Sequence, residues 1–128
     1  KTVEDLMLTG KKIPFIQETE TMKKAFNIIT KKNLGTLVVV NNRNQTTGII
    51  TDGQIRRKTQ EVNNISIKKV KDIMTKNPIS VNKDTLILKA LSIMNGKKIT
   101  SLCVTNKAKK NKTIGIIHIH NILENTSD

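Results

Sequence analysis

The chain contains no tryptophan and no tyrosine, and only two phenylalanines among 128 residues. Proteins that hold single-stranded nucleic acid stack bases on aromatic side chains. Phe15 and Phe26 both fall at core-like positions, so no stacking platform is left over. The excess of 23 basic over 10 acidic residues, a formal charge of +13, is therefore read as favouring small anionic ligands rather than nucleic acid. That charge is nearly all lysine, with arginine only at 43, 56 and 57, and it is spread along the chain. Cysteine occurs once. Cys103, within Leu102-Cys103-Val104, has no partner for an internal disulfide and reads as a small buried hydrophobe in a reducing cytoplasm. No apolar run approaches the roughly 20 residues of a membrane span. Lys1-Thr2-Val3-Glu4-Asp5 leads into an amphipathic segment and not a signal peptide, so the expected location is cytoplasmic. Proline is equally scarce, and Pro14 and Pro78 each mark an extended segment.

What the chain has is a repeat. Val3-Glu4-Asp5-Leu6-Met7-Leu8 returns 67 positions later as Val70-Lys71-Asp72-Ile73-Met74-Thr75. Met22, Ala25, Phe26 and Ile29 match Ile87, Ala90, Leu91 and Met94 at an offset of 65, and Gly48-Ile49-Ile50-Thr51 matches Gly115-Ile116-Ile117-His118 at 67. A chain that is one motif duplicated is expected to be a pseudo-twofold object with its functional surface where the copies meet. The copies span 1–60 and 70–128, with a polar, asparagine-rich tether at 61–69.

Each copy opens with a short amphipathic turn and a proline-marked extended segment. A helix follows. Ile87, Ala90, Leu91 and Met94 fall at i, i+3, i+4 and i+7, one helical face, with Asp84 or Thr85 as N-cap. Met22, Ala25, Phe26 and Ile29 make the same stripe behind Thr19 or Thr21. Two β-branched strands then form a hairpin, from Leu37–Val40 through 41–44 into Gly48–Thr51, and from Ser101–Thr105 through the lysine-rich 107–112 into 113–119. A last short helix closes each copy, over 52–57 and 120–123. The order β-α-β-β-α, twice, predicts an α/β protein of two small sheets about a shared axis.

These features together resemble a tandem pair of cystathionine-β-synthase (CBS) domains. The marks are Asp-(Leu/Ile)-Met before a proline segment, a helix with an alanine-centred stripe, and Gly-Ile-Ile opening the last strand. Val3 to Gly10 followed by Ile13-Pro14, Gly48 to Arg57, and Gly115 to Leu123 are further similar to the CBS pair of bacterial D-arabinose-5-phosphate isomerases. Those enzymes interconvert D-ribulose 5-phosphate and D-arabinose 5-phosphate for the Kdo sugar of lipopolysaccharide. Their catalytic sugar-isomerase domain precedes the CBS pair, and none of it is present in these residues. The resemblance implies a regulatory module without catalytic residues or a required cofactor. It would sense a nucleotide or sugar nucleotide such as CMP-Kdo, be joined to an upstream isomerase domain, and self-associate by stacking of pairs, with no membrane partner.

In CBS modules that bind adenine nucleotides, a Thr or Ser on the last strand and an Asp three residues on hold phosphate and ribose hydroxyls. Here Thr51 keeps the hydroxyl but Gln54 replaces the aspartate, and in the second copy His118 and Asn121 occupy the two places. The amides lack the charge that roughly doubles such a hydrogen bond, so an ordinary AMP or ATP site is weakened in both copies. The resemblance also marks Thr9, Gly10, Ile13, Thr36, Arg56, Lys76, Asn77, Ile79 and Ser101 as ligand contacts. Arg56 has a second reading as solvated surface. His118 and His120, two apart on one strand face, have three readings: a zinc pair needing a further ligand, a structural role, or the lining of the ligand cleft.

Overall fold

The computed structural model describes residues 1–32 and 34–125. A helical turn α1 (Val3–Leu6) and a 3-10 turn (Gly10–Lys12) lead into β1 (Phe15–Gln17), α2 (Met22–Lys32), β2 (Thr36–Val40), β3 (Thr46–Thr51) and α3 (Asp52–Glu61). A second 3-10 turn (Ile65–Ile67), α4 (Val70–Ile73) and β4 (Thr75–Lys76) precede β5 (Ser80–Asn82), α5 (Ile87–Lys97), β6 (Ser101–Thr105), β7 (Gly115–His118) and α6 (Ile119–Leu123). The β-α-β-β-α order therefore appears twice, in a mixed α/β protein with two sheets.

Two compact units form, and each borrows from the other copy. Residues 14–78 make one unit, and residues 1–13 with 79–128 make the second. In the first, β1 runs parallel to β2, and β2 and β3 are antiparallel. The outer rung is β4, supplied by the lead-in of the second repeat, with Thr75 opposite Ile49 and Lys76 opposite Gly48. In the second unit, β5 runs parallel to β6, which is antiparallel to β7. There Leu8, from the first repeat's lead-in, bridges Ile116. The only two prolines, Pro14 and Pro78, stand at the two points where the chain passes from one unit to the other.

The exchange explains why Asp-(Leu/Ile)-Met and Gly-Ile-Ile travel together. Gly48 lies under Met74 and Gly115 under Met7, and a Cβ at either glycine would overlap the methionine side chain. The lead-ins also complete the long helices. The first N–H of α2, at Met22, donates to the Lys68 carbonyl, and that of α5, at Ile87, to the Lys1 carbonyl (2.8 and 3.0 Å). Helix starts leave such groups without intrahelical partners.

Each unit has its own core. The first gathers Ile16, Met22, Ala25, Ile29, Leu37, Val39 and Ile50 with Val70 and Ile73 of the borrowed lead-in. The second gathers Val81, Ile87, Ala90, Met94, Leu102, Val104, Ile117 and Ile122 with borrowed Val3. The helix stripes lie where their spacing put them, with Phe26 and Leu91 partly buried at the margin. Cys103 is buried, and burial pushes its thiol up to about 11.

Four local expectations differ. Phe15 is exposed and its neighbour Ile16 faces the core, because β1 alternates and only one of the adjacent pair can point inward. Thr21 caps α2 through the Lys24 N–H at 3.4 Å, whereas neither Asp84 nor Thr85 caps α5. Leu86 stands at that position, with no side-chain bond. The 61–69 stretch is more than a polar tether, since Ile65 buries itself in the first core. Finally, His118 ends β7 and caps α6, while His120 lies inside α6, so the two histidines do not share a strand face.

Candidate functional site

Eight of the residues singled out from the sequence fall at two equivalent strand–helix junctions, one in each unit: Thr36, Thr51, Gln54 and Arg56, and Ser101, His118, His120 and Asn121. Thr36 of β2 lies opposite Thr51 of β3, and Ser101 of β6 lies opposite His118 of β7. In both cases the second strand turns at once into a helix. The turn is fixed by backbone bonds from the Asp52 N–H to the Gly35 carbonyl and from the Ile119 N–H to the Thr100 carbonyl. Gly35 adopts φ +69°, and the Asp52 carboxylate occupies the space a Cβ would need.

At the first junction Thr51 is the N-cap of α3, and its Oγ1 accepts from the Gln54 N–H at 3.2 Å. The hydroxyl proton remains available to a ligand acceptor. Gln54 is buried. Its Nε2 donates to the Ile73 carbonyl at 2.5 Å, tying α3 to the borrowed α4, and its Oε1 has no partner. Lys76 is exposed on β4, Asn77 follows in the left-handed region at φ +53°, and Arg56 is exposed on α3.

At the second junction His118 takes the place of Thr51 as cap. Its Nδ1 accepts from the His120 N–H at 3.1 Å, and its own N–H donates to Asn121 Oδ1 at 2.9 Å. With Nδ1 accepting, the neutral ring carries its proton on Nε2 and presents a donor. The His118 and His120 rings stack with centroids 4.7 Å apart and planes at 26°. Burial first, and the neighbouring His120 second, hold His118 below its ordinary value. Gly10, at φ +56°, repeats the left-handed turn of Asn77, with exposed Thr9 before it and buried Ile13 after it. Ile79 is 39% exposed beside the second crossing. Among the described residues no group of three or more His, Cys, Asp or Glu gathers as a metal site.

The candidates thus divide between the units. Thr36, Thr51, Gln54, Arg56, Lys76 and Asn77 fall in one, while Thr9, Gly10, Ile13, Ile79, Ser101, His118, His120 and Asn121 fall in the other. Both amides are already engaged by the fold, Gln54 through its nitrogen and Asn121 through its oxygen. The Ile73 carbonyl that holds Gln54 had no sequence signal, because the bond joins different repeats.

The same duplicated architecture is found among known proteins. The CBS-domain family model matches residues 3–61 and again 70–128. This chain belongs to the CBS-domain family and carries a tandem pair. It is 35% identical over 121 residues to an uncharacterized protein of Rickettsia prowazekii, covering 94% of this chain and 36% of that protein. It is 34% identical over 122 residues to the arabinose 5-phosphate isomerase KdsD of Francisella tularensis, covering 95% and 36%. The chain thus spans about a third of the length of these curated relatives. Among solved structures it is similar to CBSX2 of Arabidopsis thaliana in complex with AMP, with TM-score 0.82 at 21% identity over 97% of this chain and 94% of that one. At that identity the likeness speaks for the fold.

Proposed function

We propose that this chain is the regulatory ligand-binding part of an arabinose 5-phosphate isomerase of the Kdo pathway, acting in the cytoplasm. It would be joined to an upstream sugar-isomerase domain, self-associate through its CBS pair, and sense an anionic sugar nucleotide such as CMP-Kdo. The observation that carries the effector class is the engagement of both amides. Neither Gln54 nor Asn121 offers the carboxylate that would accept from ribose hydroxyls, so a plain adenine nucleotide loses its charge-assisted anchor. With no carboxylate at 54 or 121, repulsion against a ligand's own carboxylate is reduced, although Asp52 remains at the first junction against Gly35. What the junctions offer instead are donors: the Thr51 hydroxyl, the Nε2–H of His118, and exposed Lys76 and Arg56. These match phosphate and sugar-acid oxygens. Catalysis is assigned to the proposed upstream domain, because among the described residues no side-chain set joins a nucleophile, a base and an oxyanion site.

Support for the parent enzyme comes from the match to KdsD along nearly the whole chain. The likeness to CBSX2 with AMP favours a second reading, a CBS pair sensing adenine nucleotides for another partner. Calorimetric titration with CMP-Kdo and with AMP separates the two. The expected result is tighter binding of CMP-Kdo, weakened by Thr51→Ala with His118→Ala. A ligand at 100 times its Kd should add about 2.7 kcal/mol to stability. AMP binding as tightly as CMP-Kdo, or isomerisation of ribulose 5-phosphate by this chain alone, would overturn the proposal.

A further inference from the structure

The chain's four methionines fall into two classes. Met22 and Met94 are 0% and 1% exposed, one inside each core. Met7 and Met74, equivalent residues of the two lead-ins, are half-buried at the margins of those cores. Each lays its thioether across a strand glycine, Met74 on Gly48 of β3 and Met7 on Gly115 of β7, with the sulfur as the atom nearest to where a Cβ would stand. The Thr47 hydroxyl donates to Met74 Sδ at 3.9 Å. Its counterpart in the second repeat is Ile114, which has no such hydrogen to give.

Directly after each of these methionines comes the pairing that its unit borrows. Thr75 and Lys76 pair with β3 just beyond Met74. Leu8, just beyond Met7, exchanges both backbone hydrogen bonds with Ile116 at 2.8 and 3.0 Å. The methionine is thus the side chain that seats each lead-in, and its flexible, apolar character lets it fill the space over a glycine. That fit holds only while the sulfur is a thioether. A sulfoxide is polar and chiral, and its oxygen would be added to the very atom that lies closest over the glycine. Burying such an acceptor without a donor is unfavourable.

We propose that Met7 and Met74 are reversible oxidation sites for hydrogen peroxide, and that sulfoxide formation releases the borrowed lead-ins. A sulfur lone pair attacks one peroxide oxygen, an S–O bond forms and the O–O bond breaks. The other oxygen takes up the proton of the first and leaves as water, so sulfur is oxidised by two electrons and the peroxide reduced by two. Peroxide reaches half-buried side chains without unfolding, whereas Met22 and Met94 are sealed. The remaining sulfur, Cys103, is buried and kept as its unreactive thiol. The two clasps respond unequally. Thr47 can turn its hydroxyl to a sulfoxide on Met74, but Met7 lacks that donor, so release is greater in the second unit. Release at Met74 still reaches the first junction, because the Ile73 carbonyl, one residue earlier, holds Gln54. Neither clasp depends on which ligand the junctions take.

Peptide mass spectrometry of the whole folded chain treated with hydrogen peroxide tests this, read alongside thermal unfolding and amide hydrogen exchange. Met7 and Met74 should each gain one oxygen roughly 10-fold faster than Met22 and Met94. With both oxidised, Tm should fall by about 4 °C or more, and the Leu8 and Ile116 amides should exchange faster. Methionine sulfoxide reductases for both epimers, with dithiothreitol as reductant, should restore the original values. Met7→Leu with Met74→Leu, close in volume and without sulfur, should abolish the response. Equal oxidation of all four methionines would overturn the proposal. So would full oxidation of Met7 and Met74 with Tm and exchange unchanged, or an undiminished response in the leucine variant. If that variant does not fold, the reductases decide, and an oxidised wild type that stays destabilised once its sulfoxides are removed refutes the clasp.

Discussion

Replacing Gly48 or Gly115 by alanine tests the exchanged lead-ins directly, and the two sites should respond unequally. A Cβ on Gly48 would lie 2.8 Å from the Thr75 carbonyl oxygen as well as overlapping Met74. That oxygen belongs to a paired strand, so it has little room to retreat. A Cβ on Gly115 would meet Met7 and stand 3.1 Å from the Leu8 carbonyl oxygen, a tight but tolerable approach once the methionine moves. Overpacking of this kind costs about 1–3 kcal/mol. Gly48→Ala should fall at the upper end of that range and Gly115→Ala at the lower. A chain of this size loses about 4 °C of Tm per kcal/mol, so thermal unfolding can separate them. Double-mutant cycles sharpen the contrast. In a Met7→Ala background the cost of Gly115→Ala should shrink toward zero, whereas in a Met74→Ala background most of the cost of Gly48→Ala should persist, since the carbonyl stays in place. Equal costs at the two glycines, or full rescue of Gly48→Ala by Met74→Ala, would refute the reasoning.

Two further outcomes are expected. The pKa of His118 is depressed in the folded chain, so as pH falls through 6.5 the unfolded state binds the proton first. Stability contributed by this group is complete above that pH and declines below it, and urea midpoints at pH 7.5 and 5.5 should show a drop that His118→Gln diminishes. Cys103, buried and with its thiol pushed up to about 11, should resist a disulfide reagent at pH 8 in the native chain and react fully in denaturant.

The helices and hairpins were legible because their periods differ and each copy states them independently. Met22, Ala25 and Ile29 repeat as Ile87, Ala90 and Met94, and all six are buried. Side-chain phase was less legible where apolar residues adjoin. In Ile13-Pro14-Phe15-Ile16 nothing in the alternation distinguishes Phe15 from Ile16. The end of β7 is hidden for a related reason, since β-branched isoleucines at 116, 117 and 119 run past the point where His118 caps a helix. The exchange of lead-ins could not be read at all. Met7 and Met74 are equivalent, as are Gly48 and Gly115, so a pattern inside one copy fits either pairing. For the same reason the bond from the Gln54 nitrogen to the Ile73 carbonyl of the other copy's lead-in has no sequence signal, while the amide oxygen, the acceptor expected of this residue, keeps no partner.

The borrowed lead-ins also impose a timetable on the newly made chain. One unit is continuous, and everything it needs has been synthesised once residue 78 is out. The other must keep its first 13 residues waiting, because the bridge from Leu8 to Ile116 closes a separation of 108 positions. Long-range pairings of this kind are slow to form. Val3, destined for the second core, therefore stays uncovered until the last strand arrives, and the first of these residues to be made are among the last to find their place.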